Sequence, residues 1–200
     1  MPNAPHNPWE VLASKPVFEA PPWIQVSRQT IRLPDGRTID NYHQIALADY
    51  VIVVAQTSDD QVVLERMYKH GVGRVALMLP AGAIDAGEDP VDAAKRELLE
   101  ETGYAASEWK FLGPFVCHAN YGCGTAHVFH ARNARRVAEP DSGDLEQIET
   151  VLLDPLQVVA AIRNGEMPSL GAVAATLLAL GPLCHPDPSH AKHRGEAHAP

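Results

Sequence analysis

Residues 82–104 read GAIDAGEDPVDAAKRELLEETGY, and this stretch decides which fold we expect. A loop that contains glycine leads into a helical pattern, in which Asp89 suits the N-cap and Pro90 suits the first helical position. Gly103 marks the end of the helix, because glycine readily adopts the left-handed conformation that commonly terminates helices. The stretch therefore predicts a loop followed by a helix over residues 90–102.

Three of the seven acidic residues in this stretch, Glu97, Glu100 and Glu101, crowd the last turn of the predicted helix. An apolar stripe at helical spacing lies beside them: Val91, Ala94 and Leu98. A carboxylate at this end opposes the helix dipole at a cost of about 0.3–1 kcal/mol, so helix stability alone does not select it. The acidic turn is either a solvated helix face or a site for Mg²⁺ or Mn²⁺, which prefer oxygen ligands.

The remaining patterns predict strands before the acidic helix, and both strands and helices after it. Two β-rich runs around the turn signal PDG predict one hairpin, and two more around SDD predict a second. Strands are expected at KFLGPFVCH, TAHVFHA and IETVLLD, and helices at LQVVAAIRNG and SLGAVAATLLAL. The mixture indicates an α/β (α+β) protein built from layers of sheet and helix.

The same patterns divide the chain into four segments. Residues 1–22 contain six prolines and are expected to form an extended lead-in, while residues 23–46 form an N-terminal antiparallel β-hairpin lobe. Residues 47–181 make up the main domain. Residues 182–200 form a His-rich tail for which disorder is expected, with metal binding as the alternative.

Composition excludes some classes of partner. The chain has 200 residues, 46% hydrophobic and 20% charged, which is typical of one globular domain with a small additional lobe. A formal charge of −9 argues against binding to nucleic acid or a membrane surface, because both are polyanionic. Three cysteines without CxxC spacing, no visible signal peptide and no apolar run of about 18 residues predict a cytoplasmic protein.

The acidic stretch resembles the Nudix box of the Nudix hydrolases over all 23 of its residues. Gly82, Glu88 and the run RELLEETGY at residues 96–104 have the spacing of that box, with Tyr104 where an aliphatic residue is more usual. The resemblance implies the Nudix fold, in which a mixed sheet lies between helices and the box forms a loop–helix–loop. It also implies Mg²⁺-dependent hydrolysis of a nucleoside diphosphate linked to a further group, with Mn²⁺ as an alternative cation.

Carried over by position, the resemblance implies a role for each polar group of the box. The implied metal ligands are the carboxylates of Glu97, Glu100 and Glu101 and the backbone carbonyl of Ala81. Gly82 is placed with the substrate-binding residues, and Glu88 with Arg96 as the ion pair that ties loop to helix. Either Glu101 or Glu100 is the implied acceptor of the proton from the attacking water.

A longer segment, residues 62–104, resembles the ADP-ribose pyrophosphatase branch of the family. In that branch an arginine, an aromatic and a basic residue before the box contact the substrate, and Arg66, Tyr68 and Lys69 correspond to them. The alternative for Arg66 is an exposed strand charge. The N-terminal hairpin matches a lobe that is exchanged between two subunits, which implies a homodimer. Trp23 is then either a stacking surface for adenine or part of the dimer interface.

After the box, the chain departs from that branch. The branch carries a proline followed by an acidic loop residue used in catalysis, but this chain has Ala119 and Gly124 there. The candidates for the missing carboxylate are Glu146 and Glu149, and two histidines are near in sequence, His118 and His127.

The sequence thus predicts a Mg²⁺-dependent Nudix pyrophosphatase that hydrolyses ADP-ribose or a related nucleoside diphosphate sugar to a nucleoside monophosphate and a sugar phosphate. Two alternatives stay open: a Nudix hydrolase of another nucleotide, either a dinucleotide cofactor or a nucleoside triphosphate, and a non-catalytic module that senses a nucleotide. The intact acidic turn argues against the non-catalytic module.

Overall fold

The computed structural model of the chain describes residues 8–141, 143 and 147–181. Contacts divide it into two compact units. The N-terminal unit contains Met1–Tyr50 and Pro114–Ala126, and the main unit contains Val51–Gly113 and His127–Pro200. Each unit therefore combines two stretches that are distant in sequence.

The N-terminal unit is a sheet of three antiparallel strands joined by a later segment of the chain. Its strands are β1 (Glu10–Ala20), β2 (Ile24–Arg32) and β3 (Thr38–Ala46), in that order. The segment 114–126 joins this sheet because Ile45 pairs with Gly122 and the Tyr42 hydroxyl donates to the Asn120 carbonyl at 2.7 Å. The predicted hairpin of residues 23–46 is thus two strands of a larger sheet.

The expected lead-in of residues 1–22 differs from the structure, because residues 10–20 form strand β1 and pair with β2 along its length. The register shifts between Pro16 and Phe18. Proline has no N–H to donate, and it is tolerated on an edge strand or at a bulge. Pro16, which is the proline within β1, is therefore compatible with an edge strand. The predicted tail of residues 182–200 lies outside the described residues.

The main unit contains a mixed arrangement of strands and helices. Its elements are β4 (Tyr50–Thr57), β5 (Val62–Lys69), β6 (Arg74–Met78), α1 (Pro90–Thr102), β7 (Tyr104–Ala105), β8 (Glu108–His118), β9 (Gly122–Arg136), β10 (Glu149–Leu153), α2 (Pro155–Arg163) and α3 (Leu170–Leu180). Tyr50 and the adjoining ends of β8 and β9 belong to the N-terminal unit. The strands run in the order β9–β4–β5–β10, with β6 on β5 and with β7 and β8 on β9. Within the described residues, no helix is long and apolar enough to cross a membrane.

Helix α1 begins and ends at the two residues that its sequence predicts. Asp89 accepts a hydrogen bond from the Val91 amide at 2.9 Å, and Pro90 follows it as the first helical residue. Gly103 has a φ of 74°, and its amide donates to the Leu99 carbonyl at 2.8 Å. A Cβ at Gly103 would lie 2.2 Å from the Ala138 carbonyl oxygen, so only glycine fits there.

The apolar face of α1 packs against the sheet of the main unit. Ala94 and Leu98 are fully buried in one cluster with Val53, Val63 and Phe129. Burial of a side chain such as leucine contributes about 1.5–3 kcal/mol, so this contact holds the helix firmly on β4, β5 and β9. The acidic turn of α1 is thereby fixed against the sheet.

Candidate active site

The acidic turn of α1 is divided between buried and accessible carboxylates. Glu97 and Glu101 are only 9% and 6% exposed, whereas the side chain of Glu100 is 43% exposed. Water therefore does not solvate the first two carboxylates as it would on an outer helix face. The solvated-face alternative fails for Glu97 and Glu101.

The loop before the helix presents its backbone to this turn. The Pro80 and Gly82 carbonyls accept hydrogen bonds from β4, at Val53 and Val51. The Ala81 amide instead donates to Glu101 Oε2 at 2.9 Å. In extended backbone, the N–H and C=O of one residue point the same way, so the Ala81 carbonyl lies on the loop edge that faces the acidic turn.

Gly82 lies directly against the Glu97 carboxylate. A Cβ built on Gly82 would lie 2.1 Å from Glu97 Cδ and within 2.3 Å of both carboxylate oxygens. No side chain fits at residue 82 unless Glu97 moves. The glycine thus lets loop and helix approach closely enough to place a buried carboxylate between them.

Arg96 joins the loop to the helix through several carboxylates. Its guanidinium donates two hydrogen bonds to Glu88 at 2.9 Å, one to Glu97 at 2.6 Å and one to Glu100 at 3.3 Å. It also donates to the Ala83 carbonyl at 3.0 Å. Hydrogen bonds from Arg96 lower the pKa of Glu88 to about 2. The Glu88–Arg96 pair therefore stays ionised, and it anchors the loop onto α1.

A further carboxylate, which sequence reasoning missed, comes from the sheet. Glu65 on β5 is 1% exposed, and its side chain is hydrogen-bonded to Glu101. Burial, followed by repulsion from Glu65 and then from Glu97, raises the pKa of Glu101 to about 10, and the Ala81 amide opposes this shift. The alternation of β5, in which Val63 and Met67 also face inward, is the sequence signal that reveals Glu65.

The chemistry of the acidic turn fits a hard divalent cation. The carboxyl groups of Glu97 and Glu101 are buried near each other, with Glu65 beside Glu101, and oxygen is the ligand type that Mg²⁺ and Mn²⁺ prefer. Within the described part of the chain, no three His, Cys, Asp or Glu side chains have the spacing of a ligand set. Instead, the Arg96 guanidinium holds Glu97 and Glu100. A cation would thus draw these two carboxylates away from Arg96.

Strand alternation separates Arg66 and Tyr68 from the acidic turn. Arg66 pairs in register with Glu149, with Nε 3.4 Å from the Glu149 carboxylate, and Tyr68 pairs with Val75. These side chains line a cavity of about 580 Å³ on the face of β5 opposite to Glu65. Lys69 shares the face of Glu65 by the same alternation. The structure therefore does not bring Arg66, Tyr68 or Glu149 to the acidic turn.

The other predicted residues fall elsewhere. Trp23 is 77% exposed beside the turn between β1 and β2, in the N-terminal unit. Gly124, in the same unit, has a φ of 76°, and a Cβ there would lie 2.7 Å from the Ala48 carbonyl oxygen. This geometry explains why no acidic side chain stands at that position. The two histidines near this position contact aromatic rings: His118 stacks on Tyr121, and His127 stacks on Phe111. Glu146, a candidate for the missing carboxylate, lies outside the described residues.

The raised pKa of Glu101 predicts that a divalent cation stabilises the protein more at high pH. Without a cation, the folded protein keeps a proton that the unfolded chain loses near its ordinary pKa of 4.5, so its stability falls as pH rises from there towards about 10. A cation binds the deprotonated carboxylate, so its affinity rises over the same range. The increase in Tm on adding MnCl₂, measured by differential scanning fluorimetry, is expected to be larger at pH 8.5 than at pH 6.

NaCl of matched ionic strength is the control for that measurement. Equal increases in Tm at pH 6 and pH 8.5 would contradict the assignment of the raised pKa to a cation-binding carboxylate.

The mixed sheet and the acidic loop–helix unit define an α+β protein with a candidate site between one loop and one helix. Residues 46–169 match the family model described as the NUDIX domain, and the chain belongs to this family. Residues 9–45 match a second model, the nucleoside diphosphate sugar hydrolase N-terminal domain. The sequence-based prediction of a Nudix hydrolase is thereby confirmed.

Two relatives and one solved structure show what this chain is similar to. An ADP-ribose pyrophosphatase of Mycobacterium tuberculosis is 30% identical over 152 residues, which cover 75% of this chain and 73% of the relative. A methanol dehydrogenase activator of Bacillus methanolicus is 28% identical over 142 residues, which cover 68% and 75%. A crystal structure of an ADP compounds hydrolase superposes with a TM-score of 0.77 over 88% of this chain and 94% of that one, at 21% identity. The predicted fold is confirmed by this likeness.

Proposed function

We propose that this protein is a Mg²⁺-dependent pyrophosphatase that hydrolyses ADP-ribose or a related nucleoside diphosphate sugar to a nucleoside monophosphate and a sugar phosphate. The observation that supports this most strongly is the burial of Glu97 and Glu101 against the backbone of Ala81 and Gly82. Carboxylates that repel each other in a buried site favour binding of a divalent cation, which then attracts a pyrophosphate.

Similarity supports the nucleoside diphosphate sugar as the substrate class. The N-terminal family model carries that class in its description, and relatives named ADP-ribose pyrophosphatase occur in Mycobacterium tuberculosis and Bacillus subtilis. A mouse relative named ADP-sugar pyrophosphatase is 29% identical over 156 residues. These names favour a diphosphate sugar over a nucleoside triphosphate or a dinucleotide cofactor.

In the proposed reaction, the carboxylates of Glu97, Glu100 and Glu101 and the carbonyl of Ala81 would hold the cation. When bound, the cation polarises phosphoryl oxygens and lowers the pKa of a coordinated water. Arg96 and Glu88 keep the loop in place while the carboxylates bind. Water oxygen bonds to one phosphorus, the bridging oxygen leaves with the other phosphate, and Glu101 or Glu100 accepts the proton released by the water.

Hydrolysis of a substrate panel tests this proposal. ADP-ribose, ADP-sugars, GDP-sugars, NADH and nucleoside triphosphates are each incubated with MgCl₂ or MnCl₂, and nucleoside monophosphate is quantified by chromatography. The expected result is a preference for a diphosphate sugar and loss of activity in EDTA. A preference for nucleoside triphosphates, or turnover that persists in EDTA, would overturn the proposal.

We also infer that the N-terminal unit mediates a homodimer. Its strand β1 exposes large apolar side chains, among them Val11, Val17 and Phe18, at 51–55% of their surface. Monomeric soluble proteins rarely leave such a set exposed together, so a second copy of this chain is the expected partner.

Light scattering coupled to size-exclusion chromatography tests the dimer at micromolar concentration. The parent protein is expected at twice its 21.7 kDa chain mass, and Phe18→Glu is expected to elute as a monomer. Asp59→Lys, in the turn between β4 and β5, is the charge-changing control and stays dimeric. A monomeric parent would refute the inference.

A further inference from the structure

Glu65 is a charged residue at a position where packing favours an apolar one. It lies on the face of β5 that carries Val63 and Met67, and Val63 packs in the cluster that receives α1. Burial of an ionisable group costs free energy unless a partner compensates, and apolar residues of similar volume often replace buried charges without loss of stability. The core therefore gives no reason for a glutamate at residue 65.

The position of Glu65 in the sheet explains why a glutamate stands there. Its neighbours across the sheet are Met78 on β6 and Thr150 on β10, so its backbone is fixed from both sides. Its side chain reaches Glu101 on α1, to which it is hydrogen-bonded. Glu65 thus connects a strand that is paired on both sides to the buried carboxyl group of the acidic turn.

Glu101 is held by two groups on different elements. The Ala81 amide binds its Oε2 atom at 2.9 Å from the loop, and Glu65 contacts the same carboxyl group from the sheet. A glutamate side chain has several rotatable bonds, and a ligand that keeps one rotamer loses less entropy when a cation binds. Groups that orient ligands in this way typically change metal affinity about 10–100-fold when removed.

We propose that Glu65 is a positioning residue that orients Glu101 for cation binding, supplied by β5 from outside the acidic loop–helix stretch. The proposal rests on the proposed function, because it assumes that Glu101 binds the cation. It predicts that the residue at position 65 is needed for its contact with Glu101 and not for the stability of the fold.

Mn²⁺ binding measured by isothermal titration calorimetry and by electron paramagnetic resonance tests the proposal without any substrate. Glu65→Leu removes the contact and keeps the volume, and its affinity for Mn²⁺ is expected to fall at least about tenfold. Glu65→Gln keeps a group that can hydrogen-bond to Glu101, and it is expected to restore affinity to within about threefold of the parent. Met67→Leu, on the same face of β5, is the matched control.

Thermal unfolding of the same variants separates positioning from folding. Glu65→Leu is expected to unfold at or above the Tm of the parent, because the buried carboxyl group is gone. If that variant lacks a cooperative transition, Glu65→Met takes its place with the same expected loss of affinity. Parent-like Mn²⁺ affinity in the apolar variant would overturn the proposal, and so would a Gln variant that binds as weakly as the Leu variant.

The parent protein distinguishes this proposal from the proposed function. A parent that binds Mn²⁺ but hydrolyses no diphosphate sugar refutes the proposed substrate and leaves the role of Glu65 supported if its variants behave as expected. A parent that hydrolyses such a sugar, with an apolar variant that binds Mn²⁺ equally well, refutes only the role of Glu65. A parent that binds no Mn²⁺ overturns both.

Discussion

Glu101→Gln is expected to reduce Mg²⁺-dependent hydrolysis of the preferred diphosphate sugar at least about a hundredfold. Partners that merely orient metal ligands already account for 10–100-fold, and the loss of a ligand should cost more. Glutamine has the shape of glutamate and still accepts the hydrogen bond from the Ala81 amide. It also removes the repulsion with Glu65 and Glu97, so the Tm in the absence of a cation is expected to stay level or rise.

Steady-state kinetics, far-ultraviolet circular dichroism and Mn²⁺ titration of the variant measure these effects together. Asp92→Asn is the matched control, because it makes the same change on an exposed residue of α1 whose contact is Lys95. Parent-level turnover by the Glu101 variant would show that Glu101 takes no part in metal binding or catalysis, and the active site would have to lie elsewhere.

Gly82→Ala is expected to lower Mn²⁺ affinity and kcat/KM by about tenfold or more while leaving the fold intact. The added Cβ would meet the Glu97 carboxylate at 2.1–2.3 Å, so that side chain must leave its place. What yields is the end of a flexible side chain rather than backbone, so the free energy of unfolding changes by about 1 kcal/mol or less. The change at residue 82 thus acts on the site more than on stability.

Gly71→Ala is the control for this variant. A Cβ at Gly71 has no atom within 4 Å, so the same substitution there adds no contact. If the Gly82 variant loses stability as strongly as it loses Mn²⁺ affinity, or keeps the affinity of the parent, the close approach of Gly82 to Glu97 has no role in the site.

Local rules predicted α1 accurately. Its bounds follow from Asp89, Pro90 and Gly103, whose effects act within one turn of the helix and need no knowledge of the rest of the chain. Most strand positions also follow from local apolar patterns. The clearest exception is β1, where proline content favoured an unpaired segment, although an edge strand tolerates proline at a bulge. The short strand β7 and the two ends of β9 were not predicted either.

The site was only partly predictable because some of its contacts depend on which face of a strand looks inward. Glu65 and Arg66 are adjacent in sequence, but β5 turns them to opposite faces, and only Glu65 reaches Glu101. The resemblance drew attention to Arg66 by position. Face assignment needs the packing partner of the strand, and α1 lies more than twenty residues further along the chain.

The composition of the N-terminal unit has a consequence for how this protein can be cut and recombined. The match to the N-terminal model ends at residue 45 and the match to the NUDIX model begins at residue 46, yet the unit that contains β1–β3 also includes Pro114–Ala126, which lies inside the NUDIX match. A chimera joined at residue 46 would separate Ile45 from its natural neighbour Gly122 and Tyr42 from Asn120. The two segments should be transplanted together. During evolution, substitutions in one segment are expected to be accompanied by compensating substitutions in the other.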